Sequence, residues 1–176
     1  LLNGLTNTFA AGLPMHFTAR PAIGQQFVRW EVVSNVTETL LATGSVWRYL
    51  DSVTNELPGW SAPAFDDSGW AAGPGVLGYG DTHQLTTIGY GGVSTNRHLT
   101  TYFRTGVVIT NPAAFTALQV GLLRDDGAAV YLNGQELLRD NLPAGALAIG
   151  TLAPSSVGSP NENAYFSFTV APSNLV

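Results

Sequence analysis

The stretch LQVGLLRDDGAAVYLNGQELLRD, residues 118–140, decides the fold class. Its first part, residues 118–123, alternates apolar and polar side chains as a half-buried strand does. Arg124-Asp125-Asp126-Gly127 follows as a turn, because Asp and Gly tolerate the backbone angles that tight turns require. Residues 128–132 then predict the return strand.

A second turn follows at Asn133-Gly134. Both central residues of a type I′ turn need positive φ, and Asn-Gly is a pair that adopts this conformation readily. We therefore predict a β-hairpin in which residues 136–139 pair back onto residues 128–132. This hairpin is the clearest local signal in the chain.

Short apolar segments with a period of two recur along the rest of the chain. They predict strands at residues 16–20, 26–32, 46–50, 101–109 and 165–170. Gly- and Pro-rich stretches at 71–98 and 141–163 predict long loops, and residues 62–70 predict at most one short helical turn. Short strands separated by turn signals are typical of an all-β sandwich or barrel.

Composition excludes several classes of function. Only 11% of the 176 residues are charged, the net charge is −5, and all seven basic residues are arginine. Because there is no basic run, we expect neither nucleic acid nor an anionic membrane as partner. No apolar stretch approaches the ~20 residues of a membrane-spanning helix, so we expect no membrane insertion. The absence of cysteine excludes a disulfide framework and thiolate metal sites.

Residues 45–176 resemble a galactose-binding-like β-sandwich domain, a jelly roll found in large secreted bacterial proteins. The matching stretches are VWRYLD at 46–51, WSAPAFDDSGW at 60–70, LGYGD at 77–81, TTYFR at 100–104 and LLRDDGAAVYLNG at 122–134. The resemblance implies a jelly-roll β-sandwich with long loops. It also implies a non-catalytic binding module, secreted or at the cell surface, whose ligand is foremost a polysaccharide or other glycan.

The first part of the chain differs from the rest. Residues 12–31 resemble the end of a small extracellular β-repeat that closes on a Gly-x-x-Phe-Val-x-Trp string, here Gly24 to Trp30. We predict a β-strand segment at 1–36, a linker at 37–44 and the sandwich at 45–176. Relatives of the sandwich continue into one more apolar strand, so we expect the domain to lack its last strand.

Catalysis has little support in the sequence. There is no Gly-x-Ser-x-Gly elbow, no His-Glu-x-x-His and no Walker loop. His16, His83 and His98 lack the spacing of a metal pair. Asp66-Asp67 and Asp125-Asp126 could face each other as a glycosidase carboxylate pair, but adjacent aspartates before Ser or Gly are more simply turn residues. We therefore expect no enzyme.

Calcium binding is an alternative role for the same carboxylates. Ca²⁺ takes six to eight oxygen ligands, which loops supply through Asp side chains and backbone carbonyls. The candidate ligands are Asp66, Asp67, Asp125 and Asp126. The alternative is that these residues serve turns and solvation only.

The loop at 79–98 is the best candidate for a glycan site. Sugar binding uses an aromatic face for the apolar side of a pyranose and polar side chains for its hydroxyls. This loop offers Tyr79, Asp81, His83, Tyr90, Asn96, Arg97 and His98. The tryptophans at 47, 60 and 70 are instead expected in the core. The loop could equally be a packing lid or a contact with a neighbouring subunit.

Assembly is the alternative from a different functional class. An incomplete sandwich exposes unpaired backbone groups that a strand from another chain can fill. The segment from Leu5 to Ala19 has apolar residues at Leu5, Phe9, Leu13, Met15 and Phe17, which suits a donor strand with one buried face. The partners would then be neighbouring copies of the chain in a filament or surface layer.

Overall fold

A computed structural model describes residues 37–175. The chain divides into two compact units, of which the second begins at Thr39 and contains all of the described residues except Thr37 and Glu38. The strands expected at 16–20 and 26–32, and the donor segment at 5–19, lie outside the described residues. All of the described strands belong to the second unit.

A three-stranded antiparallel sheet is formed by β1 (Val46–Leu50), β2 (Ala71–Pro74) and β5 (Tyr102–Arg104) in the order β2-β1-β5. Trp47 pairs with Gly73, and Tyr49 pairs with Phe103. Gly73 is buried against the Thr86 side chain, where a Cβ would collide, so glycine lets the next pair of strands approach this sheet closely.

That next pair is short and lies inside the predicted loop 71–98. β3 (Leu77–Gly78) and β4 (Thr86–Thr87) run parallel, and the Thr86 hydroxyl donates to the Pro74 carbonyl at 2.8 Å. The prediction of a continuous loop over 71–98 was therefore wrong at β2, β3 and β4. These three strands are only two to four residues long, which is too short for an alternation of apolar and polar residues to be recognised.

The second antiparallel pair joins β6 (Leu118–Leu122) to β9 (Phe166–Val170). Alternate residues of both strands are half-buried and exposed, as a sheet with one covered face requires. The register places Val120 opposite Phe168. Strand β9 confirms the strand predicted at 165–170.

The predicted Asn-Gly hairpin is confirmed. β7 (Ala128–Leu132) pairs with β8 (Gln135–Asp140), and the turn residues Asn133 and Gly134 have φ of 50° and 86°. A register shift lies between Val130 and Tyr131, which places Tyr131 opposite Glu136. Its cross-strand bond, from the Tyr131 hydroxyl to Glu136 Oε2, is 3.2 Å long.

The expected return of β6 onto β7 is not formed. β6 pairs with β9 instead, because the turn at 124–127 is fixed to the far end of β8. Gly127 lies against the Asn141 backbone, and Arg124 donates to Asp140 Oδ2 at 2.6 Å. The turn therefore sends the chain from one pair of strands to another rather than closing a hairpin.

Other boundaries also differ from the predictions. The strand expected over 101–109 ends at Arg104, where the side chain is drawn into contacts with residues 60–67. Residues 62–70 form turns without a helix. The described helices are two 3₁₀ turns, Pro112–Ala114 and Asn161–Asn163. Neither has the length or apolarity needed to cross a membrane.

An aromatic cluster forms the centre of the unit. The Trp60 ring lies 4.7 Å from Tyr102 and 5.1 Å from Tyr131, and Trp70 lies 6.3 Å from Tyr102. Tyr102 and Ile88 are the buried hydrophobic residues of the described region. Aromatic pairs of this geometry add about 0.5–1.5 kcal/mol each beyond area burial, so these rings hold the loops around 60–70 to the strands.

The fold is all-β, as predicted. The pairings place the described strands in one three-stranded sheet and three two-stranded sheets. The jelly-roll order of strands stays a prediction, since these pairings alone do not establish it.

Candidate functional site

A cleft of about 290 Å³ brings together residues from four separate parts of the chain. Two segments come from the predicted glycan loop, one from the turn after β6 and one from the 3₁₀ turn before β9. The lining residues are Tyr79, Gly80, Asp81, Arg97, Asp125, Asp126 and Glu162. The cleft therefore joins residues predicted for glycan binding to residues predicted for calcium.

One side of the cleft is aromatic and cationic. The Tyr79 and Tyr90 rings lie 5.3 Å apart and are tilted by 49°. The Arg97 guanidinium carbon lies 5.6 Å from the Tyr79 ring centre and 6.0 Å from that of Tyr90. These are cation–π distances, so Arg97 is held over the two rings. We call Tyr79, Tyr90 and Arg97 the aromatic wall.

The loop 90–98 is closed by its own backbone. The His98 N–H donates to the Tyr90 carbonyl and the Asn96 N–H to the Val93 carbonyl, both at 3.0 Å. Gly91 has φ of 102°, and a Cβ there would lie 3.0 Å from the Asn96 carbonyl oxygen and 3.1 Å from the His98 ring. Only glycine suits this position, and the closure returns Arg97 to the Tyr90 ring.

The other side of the cleft is acidic and is fixed through Asp126. Asp126 Oδ1 accepts from the Val157 N–H at 2.6 Å, and the Asn141 side chain donates to the Asp126 carbonyl at 3.1 Å and to the Ser155 carbonyl at 2.6 Å. These bonds tie loop 141–163 to the turn after β6. They bring Glu162, on the same loop, to the cleft.

Asp125 is the electrostatically perturbed group of this side. Burial raises the pKa of its carboxyl, and the neighbouring charges of Asp126, Glu162 and Asp81 raise the pKa further. Among the described lining residues, four carboxylates share the cleft with one guanidinium, that of Arg97. Among the described residues no ion pair joins Arg97 to any of them. We call Asp81, Asp125, Asp126 and Glu162 the acidic side.

The predicted glycan residues divide into two groups. Tyr79, Asp81 and Arg97 line the cleft, and Tyr90 supports them through its contacts with Tyr79 and Arg97. The remaining three do not line it: His83, Asn96 and His98. Asn96 and His98 instead close the loop through their backbones, and the Nδ1 of His98 is buried without a hydrogen-bond partner among the described residues.

Glu162 was missed from the sequence. It is the only carboxylate in the predicted loop 141–163, and a lone charge in a long polar loop was the available signal. Its place opposite the aromatic wall depends on the bonds of Asp126 and Asn141, which join residues far apart in sequence.

Asp66 and Asp67 lie outside the cleft. Asp66 Oδ1 accepts from the Ser68 N–H at 3.0 Å, and hydrogen bonds from Ser68 lower the Asp66 pKa. Asp67 lies between two arginines, 2.8 Å from Arg104 Nε and 3.3 Å from Arg48 Nε. The carboxylate pair considered for catalysis, Asp66 with Asp125, therefore does not line a common cleft.

Arg104 is the centre of that second cluster. It also donates to the Trp60 carbonyl and, at 3.2 Å, to the Ala62 carbonyl, and it lies 5.3 Å from the Phe65 ring. Its side chain is only 14% exposed. We call Arg104 with Asp67 and Arg48 the arginine hub, and its contacts hold loop 60–70 onto β1 and β5.

The calcium prediction gains no support from donor geometry. Within residues 37–175 no three His, Asp or Glu side chains are placed to hold one metal ion. Asp67 is already paired with arginines, and Asp126 accepts from the backbone. The four predicted ligands therefore form two pairs, Asp66 with Asp67 and Asp125 with Asp126. The two pairs lie far apart in the sequence and have different neighbours.

Comparison with protein-family models, with curated proteins and with solved structures finds no match to this chain. The resemblance to galactose-binding-like domains therefore stays a prediction. The geometry of the cleft is the basis for a proposed function.

Proposed function

We propose that the protein is a non-catalytic binding module that takes carbohydrate in the cleft between the aromatic wall and the acidic side. The observation that carries the proposal is the contact of Arg97 with the Tyr79 and Tyr90 rings at a cleft whose described lining includes four carboxylates. The extracellular or cell-surface location expected from the sequence resemblance belongs to the same proposal.

The geometry suits a sugar for two physical reasons. A pyranose has an apolar face, which an aromatic ring covers, and a rim of hydroxyls, which charged groups hold by hydrogen bonds. Tyr79 lies in the cleft lining beside Arg97, and Asp125 and Glu162 lie in the same lining. A cleft of about 290 Å³ lies just below the range of typical ligand sites, which starts at about 300 Å³, so one or two sugar units would fill it.

A glycan array followed by titration of the best probe tests the proposal. We expect Tyr79→Ala and Arg97→Ala each to weaken binding about tenfold, a loss of ~1.4 kcal/mol. Tyr165→Ala is the matched control, because Tyr165 is 52% exposed and does not line the cleft. Failure of every glycan and of insoluble polysaccharides to bind would overturn the proposal.

Assembly by strand addition is the second candidate. An apolar hollow of about 610 Å³ lies where β9 ends, lined by residues that include Phe115, Pro172 and Leu175. In the described region, β6 and β9 pair only with each other, so each has an unpaired edge. The occupant we propose is the donor segment at residues 5–19 of a second copy, whose alternating apolar residues match such a hollow.

Size-exclusion chromatography and negative-stain imaging of the full chain test this second candidate. Oligomers are expected, and Leu13→Asp on the donor segment or Phe115→Asp in the hollow should disperse them. Leu152→Asp is the control, because Leu152 is 64% exposed and does not line the hollow. A monomer at all concentrations would contradict assembly.

A further inference from the structure

We infer that the cleft selects glycans that carry free amino groups over neutral and acidic ones. The inference rests on the proposed carbohydrate function and names its ligand class. Its basis is the charge of one cleft, in which the guanidinium of Arg97 lies over the tyrosines and four carboxylates share the described lining with it.

The cationic group of the cleft is already engaged. Arg97 lies over both the Tyr79 and Tyr90 rings, so its guanidinium is part of the aromatic wall on which a sugar ring would stack. It can donate to a hydroxyl from there. Among the described lining residues it is the only cation, and four carboxylates share that lining with it, so a uronic acid would meet a surplus of negative charge.

The carboxylates have capacity left for a ligand. Asp126 uses one oxygen for the Val157 N–H, and no described donor outside the acidic side bonds to the carboxylate of Asp125 or of Glu162. An ammonium group carries three donors, which these oxygens could accept. The bond from an ammonium to a carboxylate is charge-assisted and stronger than one between neutral groups.

The charge of the amine is what the carboxylates would recognise. Asp125 and Glu162 line the same cleft as Tyr79 and Arg97, so an amine on a sugar held in this cleft would lie near carboxylates. An N-acetyl group in its place removes the charge and two of the donors.

Burial and like charges raise the Asp125 pKa, and the groups around it are Asp126, Glu162, Asp81 and Arg97. Binding of an ammonium ligand removes part of this repulsion. We therefore expect affinity for the amine to fall on acidification, as Asp125 takes up its proton at a higher pH than an ordinary aspartate.

Isothermal titration of the full chain with three tetrasaccharides tests the inference: tetraglucosamine, its fully N-acetylated counterpart and tetragalacturonate. We expect tetraglucosamine to bind about tenfold more tightly than the N-acetylated form, and tetragalacturonate not to bind. The preference should shrink in 1 M salt, where the screening length is about 3 Å.

Glu162→Gln should remove most of the preference, because it lowers affinity for tetraglucosamine more than affinity for the N-acetylated tetramer. Glu38→Gln is the matched control, because Glu38 is exposed and does not line the cleft. Equal or tighter binding of the N-acetylated or acidic tetramer would overturn the amine inference and leave carbohydrate binding standing. No binding of any of the three, with an empty glycan array, would overturn both.

Discussion

The chain contains the Asp-Asp dipeptide twice, and the structure gives the two copies opposite surroundings. At 66–67 the carboxylates receive hydrogen bonds from Ser68 and ion pairs from Arg48 and Arg104. At 125–126 they meet further carboxylates, Asp81 and Glu162, across a cleft. The pKa of Asp66 is lowered and that of Asp125 is raised.

This difference separates a structural pair from a candidate site. The fold neutralises Asp67 with its own arginines, so this residue has no charge left to offer a ligand. Within the described part of the chain, no arginine forms an ion pair with Asp125 that would relieve the repulsion around it, and clefts that hold such perturbed groups are candidates for function. Turn residues of the same type therefore differ in role through their long-range partners.

The largest expected effect on stability comes from a substitution that removes the centre of the arginine hub. Arg104→Leu should lower the free energy of unfolding by about 2–4 kcal/mol, because Asp67 loses its nearer partner and two carbonyls lose a donor. Urea denaturation measures this change. Arg97→Leu, the matched variant in the cleft, should stay within about 0.5 kcal/mol of the wild type in stability and weaken glycan binding about tenfold instead. Equal destabilisation by the two variants would break the comparison.

A smaller effect is expected from the loop that shapes the aromatic wall. Gly91→Ala adds a Cβ against Asn96 and His98 and also strains a φ of 102°, which costs about 1–3 kcal/mol in stability. Glycan affinity should fall about tenfold, since Arg97 is displaced from the rings. Gly92→Ala is the control, because it has φ of 79° but open space around its Cβ.

Titration and thermal denaturation of these two variants separate backbone strain from collision. If Gly92→Ala weakened binding as much as Gly91→Ala, the contact with His98 would not be what positions the wall.

The smallest effects are the opposite pH dependences of the two Asp-Asp pairs. Asp66 has a lowered pKa in the folded state, so its stabilising contribution is present above its ordinary pKa and is lost as the pH falls through the lowered value. Asp66→Asn should therefore destabilise the protein at neutral pH, and this cost should disappear in acid.

Asp125 has a raised pKa, so its contribution is present below its ordinary pKa and is lost as the pH rises through the raised value. Asp125→Asn should make the protein slightly more stable at neutral pH, with the gain fading in acid. Urea midpoints of both variants from pH 3 to pH 7 measure the two trends. Trends of the same sign would contradict the assignment of one pair to structure and the other to a site.

Much of the local structure could be predicted from the residues themselves. The hairpin at Asn133-Gly134 forms because its two turn residues adopt positive φ, a property of the residues and not of their surroundings. Strands β1, β6 and β9 follow the alternation of apolar and polar residues. Strands β2, β3 and β4, which lie inside 71–98, could not be found in this way. Segments of two to four residues are too short to show a period.

The candidate site was only half predictable. The loop 79–98 stood out by its aromatic and charged residues, and Tyr79, Asp81 and Arg97 do line the cleft. That Asp125 faces them, and Glu162 with it, depends on bonds between Asp126, Asn141 and residues 155–157. A pattern of residues within one segment does not predict contacts between segments that lie far apart in the sequence.

The sequence by itself determined the all-β class, the Asn-Gly hairpin and the low charge, because turn chemistry, side-chain alternation and composition are local properties. Only the tertiary structure decided that β6 pairs with β9 and not with β7, and which of the two Asp-Asp pairs is neutralised. Strand partners and ion pairs are chosen by packing between segments tens of residues apart, where Arg104 reaches Asp67 and none of the described arginines is paired with Asp125. The physical reason is that the burial and charge of a residue belong to its neighbours in space.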